Sequence, residues 1–443
     1  DEGIVVEATT IQTTAGGSIA INGTAGQGDP SNTTALGVDH DGISIEANSS
    51  IVTQAGGDIS ITGVASNQGE GIDLEDGTNH TITATSGNIV LQGTGDATSA
   101  SDAVVVSATA ITAGGNLTIN GTGGSNGTLD GTGSGIYLQE SSVVVDGDIA
   151  FNGTTRDGNG IELNLSQLSS TSGNMTFTGD VTGHAVNGTE NYPAFLMHGS
   201  SLVANNGDVG ISFNISHPTE TVSSSGLEFY AENGTPATIN AKNIDLVGIT
   251  EGVSHGVTLW QNTALEASET LTITGIYNGP AEHGVEDQYG VAVFPDVTLT
   301  ADNLGIAGKT TSDDGWDVGF DNNNTFTGHS SVWILADNQE WDYDGAPAIS
   351  VQGNGSLELA PYPGSSDFNW DINLENVDFG TTFTSAKLGV PTATGYDLRV
   401  GTQGLSVNGP IEIYGGTPII DGEIASKAEG QSVLIQGASG IEV

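Results

Sequence analysis

The chain has 443 residues, of which 36% are hydrophobic and 67 are glycine, which excludes a thick globular core and suits a thin core repeated along an axis. With 54 acidic residues against 6 basic ones the formal net charge is -48, so nucleic acid and anionic lipid are repelled at long range. There is no cysteine, which excludes disulfides, thiolate metal sites and thiol nucleophiles.

The first residue is Asp1 rather than Met, a strand pattern is under way at Gly3, and no stretch is apolar enough to cross a bilayer. These features predict a mature or excised window of a longer secreted protein, extracellular and at the cell surface, with no membrane insertion in this segment. From Gly3 to Gly308 a unit of the form Gly-Ile-x-Ile, Ser-x-Ile, Gly-Asp-Ile-x-Ile-x-Gly recurs about ten times, roughly every 32 residues. Its first strand carries pairs such as Ile4/Val6, Ile43/Ile45, Val104/Val106 and Ile161/Leu163, whose alternate spacing puts both members on one face. A weaker second strand is marked by Ile11, Ile51, Ile82, Ile111, Leu168, Leu202, Ile239 and Leu265. The third repeats the paired pattern with Ile19/Ile21, Ile59/Ile61, Ile89/Leu91, Ile149/Phe151 and Leu271/Ile273.

Residues between the inward pairs, such as Ser44, Asp73, Thr118 and Glu162, are small or polar, as a solvated outer face requires. Gly16-Gly17, Gly56-Gly57, Gly114-Gly115 and Gly147-Asp148 mark corners and are expected to supply positive φ. The link from third strand to next first strand varies in length, as from Thr24 to Asp41 and from Thr122 to Ser134, so the loops should emerge along one edge.

The pattern predicts an all-β fold, a single-stranded parallel β-helix (β-solenoid) with three short strands per coil, for which the resemblance given below implies the right-handed form. Residues 1–308 are expected to form regular rungs. Residues 309–355, which gather Trp316, Trp333 and Trp341 among many acids, are expected to form an irregular insertion or distorted rungs. Periodicity returns at Ser356-Leu357-Glu358-Leu359 and Leu405-Ser406-Val407, which assigns 356–443 to further rungs.

The run Gly409-Pro410-Ile411-Glu412-Ile413-Tyr414-Gly415-Gly416, followed by Ile419-Ile420-Asp421-Gly422 and Ser432-Val433-Leu434-Ile435-Gln436-Gly437, resembles the repeats of giant filamentous-haemagglutinin-like bacterial exoproteins. The rung from Gly56 to Gly63 is similar to theirs too. The resemblance implies export across an outer membrane, a right-handed β-helix, and a role in adhesion, aggregation or matrix building. It brings no catalytic residues.

Pectin-cleaving β-helices need acids that hold calcium and a base that takes a proton. Here the basic residues Arg156, Lys242, Lys309, Lys387, Arg399 and Lys427 are scattered over different rungs, and a polyanionic substrate would be repelled. Gly123-Gly124-Ser125-Asn126-Gly127 matches Gly-x-Ser-x-Gly, but it lies in a glycine-rich loop and not between a strand and a helix. His40, His198, His255 and His329 show no metal-ligand spacing and read as solvated loop residues.

The run Glu340-Trp341-Asp342-Tyr343-Asp344-Gly345 places acids at alternate positions ahead of a glycine, as calcium loops do. Glu340, Asp342 and Asp344 are therefore the candidate calcium ligands, and no other cofactor is implied. Asn22, Asn120, Asn126, Asn152, Asn187 and Asn233 stand in Asn-Gly-Thr triplets and are candidate glycosylation sites.

These readings converge on a non-catalytic structural or adhesive protein of a cell surface. Its partners would be glycans, other surface proteins, or copies of itself joined end to end. Trp260, Trp316 and Trp341 read as exposed aromatics that either pack over the bases of loops, the favoured expectation, or stack on sugars. The alternative is a subunit of a self-assembling extracellular fibre, sheath or surface layer. Polysaccharide lyase or hydrolase activity is the weaker third reading.

Overall fold

A computed structural model of the chain describes every residue except 1, 27–39, 76, 78, 100, 125–132, 157, 183–191, 217–224, 252–254, 280–287, 312–314, 342–348, 366, 367, 370, 393 and 394. Among the described residues there is no helix, and the strands stack in parallel, coil upon coil, as a β-solenoid. They fall into two compact units, Asp1–Lys242 and Asn243–Val443.

In the first unit each inward position forms a column without any slip of register. The first strands align Ile4, Ile43, Ile72, Val104, Ile136, Ile161, Phe195 and Leu227. The second strands align Ile11, Ile51, Ile82, Ile111, Val143, Leu168, Leu202 and Ile239, so Val143 completes the marker set read from the sequence. The third align Ile19, Ile59, Ile89, Leu117, Ile149, Met175 and Val209. Nearly all of these side chains are fully buried; Phe151 packs on Phe177 in the next third strand with centroids 5.3 Å apart, and Phe177 meets the first-strand Phe195 across the core at 5.6 Å. Apolar neighbours of similar kind above and below make a thin core tight, because each side chain packs on its counterpart in the next coil.

Three devices turn the chain at the three corners. At the first corner a left-handed residue, Ala8, Asn48, Ala108, Glu140, Leu165 or Gly199, precedes a serine or threonine. The hydroxyls of Ser49, Ser141, Ser166 and Ser200, all at most 2% exposed, accept backbone N–H groups of Thr9, Thr109, Ser141 and Ser166 at 2.9–3.2 Å. At the second corner the side chains of Asp58, Asn88, Asn116, Asp148 and Asn174 each accept the backbone N–H of the next coil's counterpart at 2.8–2.9 Å, ending on Asp208. These two ladders satisfy backbone donors that a turn would otherwise leave to water.

The third corner needs glycine for space. A Cβ on Gly121 would stand 1.8 Å from the carbonyl oxygen of Gly135, and one on Gly63 the same distance from that of Gly71. The glycine pairs at the second corner depart from expectation: only Gly16 and Gly56 have positive φ, and Gly57 is required because its Cβ would lie 2.1 Å from Gly17 O.

In the second unit the second and third strands fuse. Thr263–Tyr277, Thr298–Thr310 and Thr325–Leu335 run through the second corner, with register shifts at Glu266/Thr270 and Ala301/Asn303. The first strands here are Val257–Leu259, Tyr289–Val293, Trp316–Phe320 and Gln339–Trp341, again parallel. The described part of 309–355 therefore consists of coil strands, distorted by these bends. After Thr325–Leu335 the long strand gives way to two, Ile349–Gly353 and Ser356–Ala360, and coils continue to Val433–Gly437.

Candidate functional site

The sequence-predicted residues are scattered by the fold. Glu340 lies on the outer face of the strand Gln339–Trp341 in the second unit, while Asp342 and Asp344 lie outside the described residues. Among the described residues no group of three or more His, Asp or Glu could hold a metal ion. Asn22, Asn152 and Asn233 are exposed and Asn120 is half-buried; Asn126 and Asn187 lie outside the described residues. Gly23, Gly121 and Gly153, the middle residues of three of these triplets, are fixed by the close approach at the third corner, so packing alone explains their recurrence.

Trp341 corrects an expectation. It is 1% exposed and packs in the core against Phe320, centroids 4.6 Å apart, because alternation turns it inward from the edge of Gln339–Trp341. Trp260 does stand at the surface, 36% exposed, stacked flat on Phe294 at 3.8 Å and 8°. Trp316 is half-buried.

The outer face of the first strands carries the notable polar chemistry. In the first unit, Glu70 follows Asp41 one coil on, and its backbone N–H donates to Asp41 Oδ1 at 2.8 Å. Burial, a side-chain hydrogen bond to Asp41 and the charges of Asp41, Asp73 and Asp102 push the Glu70 carboxyl up to about 9, so it holds its proton at neutral pH. Burial likewise raises Asp102 to about 7, against the pull of the Ser134 N–H.

Farther along that face, His198 Nε2 lies 2.9 Å from Glu162 Oε1, and the Tyr230 hydroxyl lies 3.1 Å from His198 Nδ1. With Nε2–H donating to the carboxylate, Nδ1 accepts from the tyrosine, and Asn159 donates to the other Glu162 oxygen at 2.7 Å. The order resembles a nucleophile–base–acid chain. Its chemistry is opposite, because burial and nearby glutamates push Tyr230 up to about 12 and His198 is only 7% exposed. The network is a buried clasp between coils.

In the second unit the same face holds a cleft of about 190 Å³, lined by Tyr289, Ala292, Val293, Phe294, Gly319, Phe320, Asp321 and Glu340. Tyr289 is held at both ends. Its backbone N–H donates to His255 Nδ1 at 3.1 Å, and its hydroxyl donates to Glu340 Oε2 at 2.5 Å. Burial lowers His255 to about 4, which keeps Nδ1 an acceptor at neutral pH. The Tyr289 ring lies across Gly319, where a Cβ would meet ring carbon Cε1 at 2.1 Å.

Tyr289 and Phe294 were missed by sequence reasoning, whereas Asp321 groups in the sequence with Asp313, Asp314 and Asp317 as a second acidic cluster. The available signal was positional: Trp260, Phe294 and Asp321 each follow the last inward residue of successive first strands, Leu259, Val293 and Phe320. No protein-family model matches the chain, and no curated protein and no solved structure matches it either.

Proposed function

We propose that the chain is a secreted, non-catalytic solenoid of a cell surface that serves adhesion, aggregation or matrix building. The observation that carries this reading is where the polar side chains go. Ser49, Ser141, Ser166 and Ser200 inside, and the Asp58-to-Asp208 series outside, bond coil to coil, which makes a stiff scaffold. A net charge of -48 keeps such an edge-rich β protein soluble outside a cell. The resemblance of residues 409–437 to haemagglutinin-like repeats supports the same reading.

The test is retention of suspended cells under flow on a surface coated with the purified chain. Retention well above that on an unrelated acidic protein of similar charge is expected, and equal retention removes the adhesive reading. Release of unsaturated uronides from pectate would overturn the non-catalytic part.

A further inference from the structure

We propose that Trp333 is a stacking platform for an uncharged pyranose, one residue of a neutral glycan. That the glycan belongs to another surface rests on the adhesive reading; the recognition chemistry stands on the surroundings of Trp333 alone.

In Thr325–Leu335 the flanking Val332 and Ile334 are buried in the core, so alternation turns Trp333 outward. One coil back, in register with it, stands Gly305. A Cβ on Gly305 would lie 1.8, 2.1 and 2.2 Å from Cζ2, Cε2 and Cη2 of the indole. Three neighbouring ring carbons at nearly equal distance put that point over the face of the ring and not beyond its edge. The indole therefore lies flat on the sheet, one face spent on a position that glycine leaves open and the other turned away. Gly305 is buried although it points outward, and Trp333 is half-buried. Among the described residues no second ring and no cation lies against this indole, whereas Trp260 is stacked on Phe294 and Trp341 packs on Phe320.

The surround is polar. One coil behind Gly305, Thr272 donates to Asp245 at 2.5 Å. One coil beyond Trp333, Glu358 pairs with Lys387 at 2.8 Å, and beside it Ser331 donates to Asn303 at 2.9 Å. Successive coils stand about 4.8 Å apart, which sets these groups around the indole at the reach of a sugar's hydroxyls. A hydroxyl both donates and accepts, a carboxylate offers about four lone-pair sites and an ammonium has three donors, so each pair keeps capacity for a further partner.

A pyranose fits this arrangement. Its ring C–H bonds form a flat apolar face that packs on an aromatic ring, while its hydroxyls point outward around the rim. Anionic glycans and phosphates are repelled by a chain of net charge -48. A protein partner would need its anchor enclosed in a dry pocket, which an indole on an open sheet does not offer. Strand alternation and the seat on Gly305 fix the ring in advance, which lowers the entropy cost of binding.

Calorimetric titration of the full chain with cellopentaose and with N-acetylchitopentaose tests this. At least one should bind with a Kd of about 1 mM, and pentagalacturonate at least about tenfold more weakly. Trp333→Ala should lose about tenfold while keeping its melting temperature, because the ring lies outside the core. If that variant does not fold, Gly305→Ala, whose Cβ lifts the ring off the sheet, should show the same loss. Trp260→Ala should bind as the parent does. No binding of either neutral sugar, a preference for pentagalacturonate, undiminished binding by the folded variant, or a loss in Trp260→Ala that Trp333→Ala does not share would each overturn the site. Sugar binding without cell retention would keep the site and remove the adhesive reading, and retention without sugar binding would do the reverse.

Discussion

In the first unit the second corner is sharp, and in the second unit it is a bend inside a strand. Where Gly57-Asp58, Gly87-Asn88, Gly115-Asn116 and Gly147-Asp148 precede the third strand, glycine gives room and the Asx side chain ties the corner to its neighbour. Where Asp302-Asn303 or Glu269-Thr270 stand instead, the strand runs on through Thr298–Thr310 and Thr263–Tyr277 and absorbs the turn as a register shift. There the nearest counterpart of the ladder is a side-chain bond, Ser331 Oγ to Asn303 Oδ1 at 2.9 Å. The coil is thus enforced by inward packing, while the crispness of a corner depends on one dipeptide.

The largest expected effects test what the two units share. Gly121→Ala and Gly275→Ala would each drive a Cβ into a backbone carbonyl of the adjoining coil, at 1.8 and 1.9 Å, and should cost about 3 kcal/mol or more in chemical denaturation. Ile61→Asp, a charge in a fully buried column, belongs to the same range. A near-neutral result for either glycine would mean that the third corner can open in that unit.

Next in size is a pH effect that separates the units. Glu70 rises from 4.5 to about 9 and Asp102 from 3.8 to about 7 in the first unit, whereas Asp317 rises only to about 6 in the second. A raised carboxyl means the folded state holds a proton that the unfolded chain releases. The associated stability is full below the unfolded value and is lost as pH rises through the folded one. Melting of the first unit should therefore keep falling up to pH 9, while the Asp317 share of the second is spent near pH 6. Glu70→Gln should flatten the fall between pH 7 and 9; an unchanged slope would assign it to other groups.

The ladder comparison is smaller. Asn116→Ala removes the acceptor for the Asp148 N–H and should cost about 1 kcal/mol, with faster hydrogen exchange at Asp148. Asn303→Ala, which loses one half-buried side-chain contact and leaves the backbone ladder untouched, should cost less than about 0.5 kcal/mol. Equal costs would show that the ladder adds nothing over a bent strand. Smallest of all, Ser60→Asp on the outer face beside Ile61 should stay within about 0.5 kcal/mol of the parent.

The sequence announced the columns because inward pairs such as Ile59/Ile61 and Ile89/Leu91 alternate with polar residues, and period two has one physical meaning. It hid the ladders. Asp58 and Asn88 look like ordinary turn residues until the next coil supplies the N–H they accept, a partner some thirty residues away that local pattern cannot name. The candidate site was the least legible part. Acids at alternate positions around Glu340 suggested calcium, but Tyr289 and Phe294 reach that carboxylate's surroundings only through stacking of coils, and Trp341 turned inward because strand alternation outranks its size.

The outer corner also bears on the chemical durability of the chain. Asparagine ages by deamidation when the following residue's backbone nitrogen attacks the side-chain amide, and at Asn88, Asn116 and Asn174 that nitrogen is already committed. Ile89 N donates to Asn116 O, Leu117 N to Asp148 O and Met175 N to Asp208 O, each at 2.8–2.9 Å. Deamidation there would also set a new carboxylate beside Asp58, Asp148 or Asp208 in a column where no two acids now adjoin. The backbone bonds that follow the corner thus also shield its asparagines from slow chemical ageing.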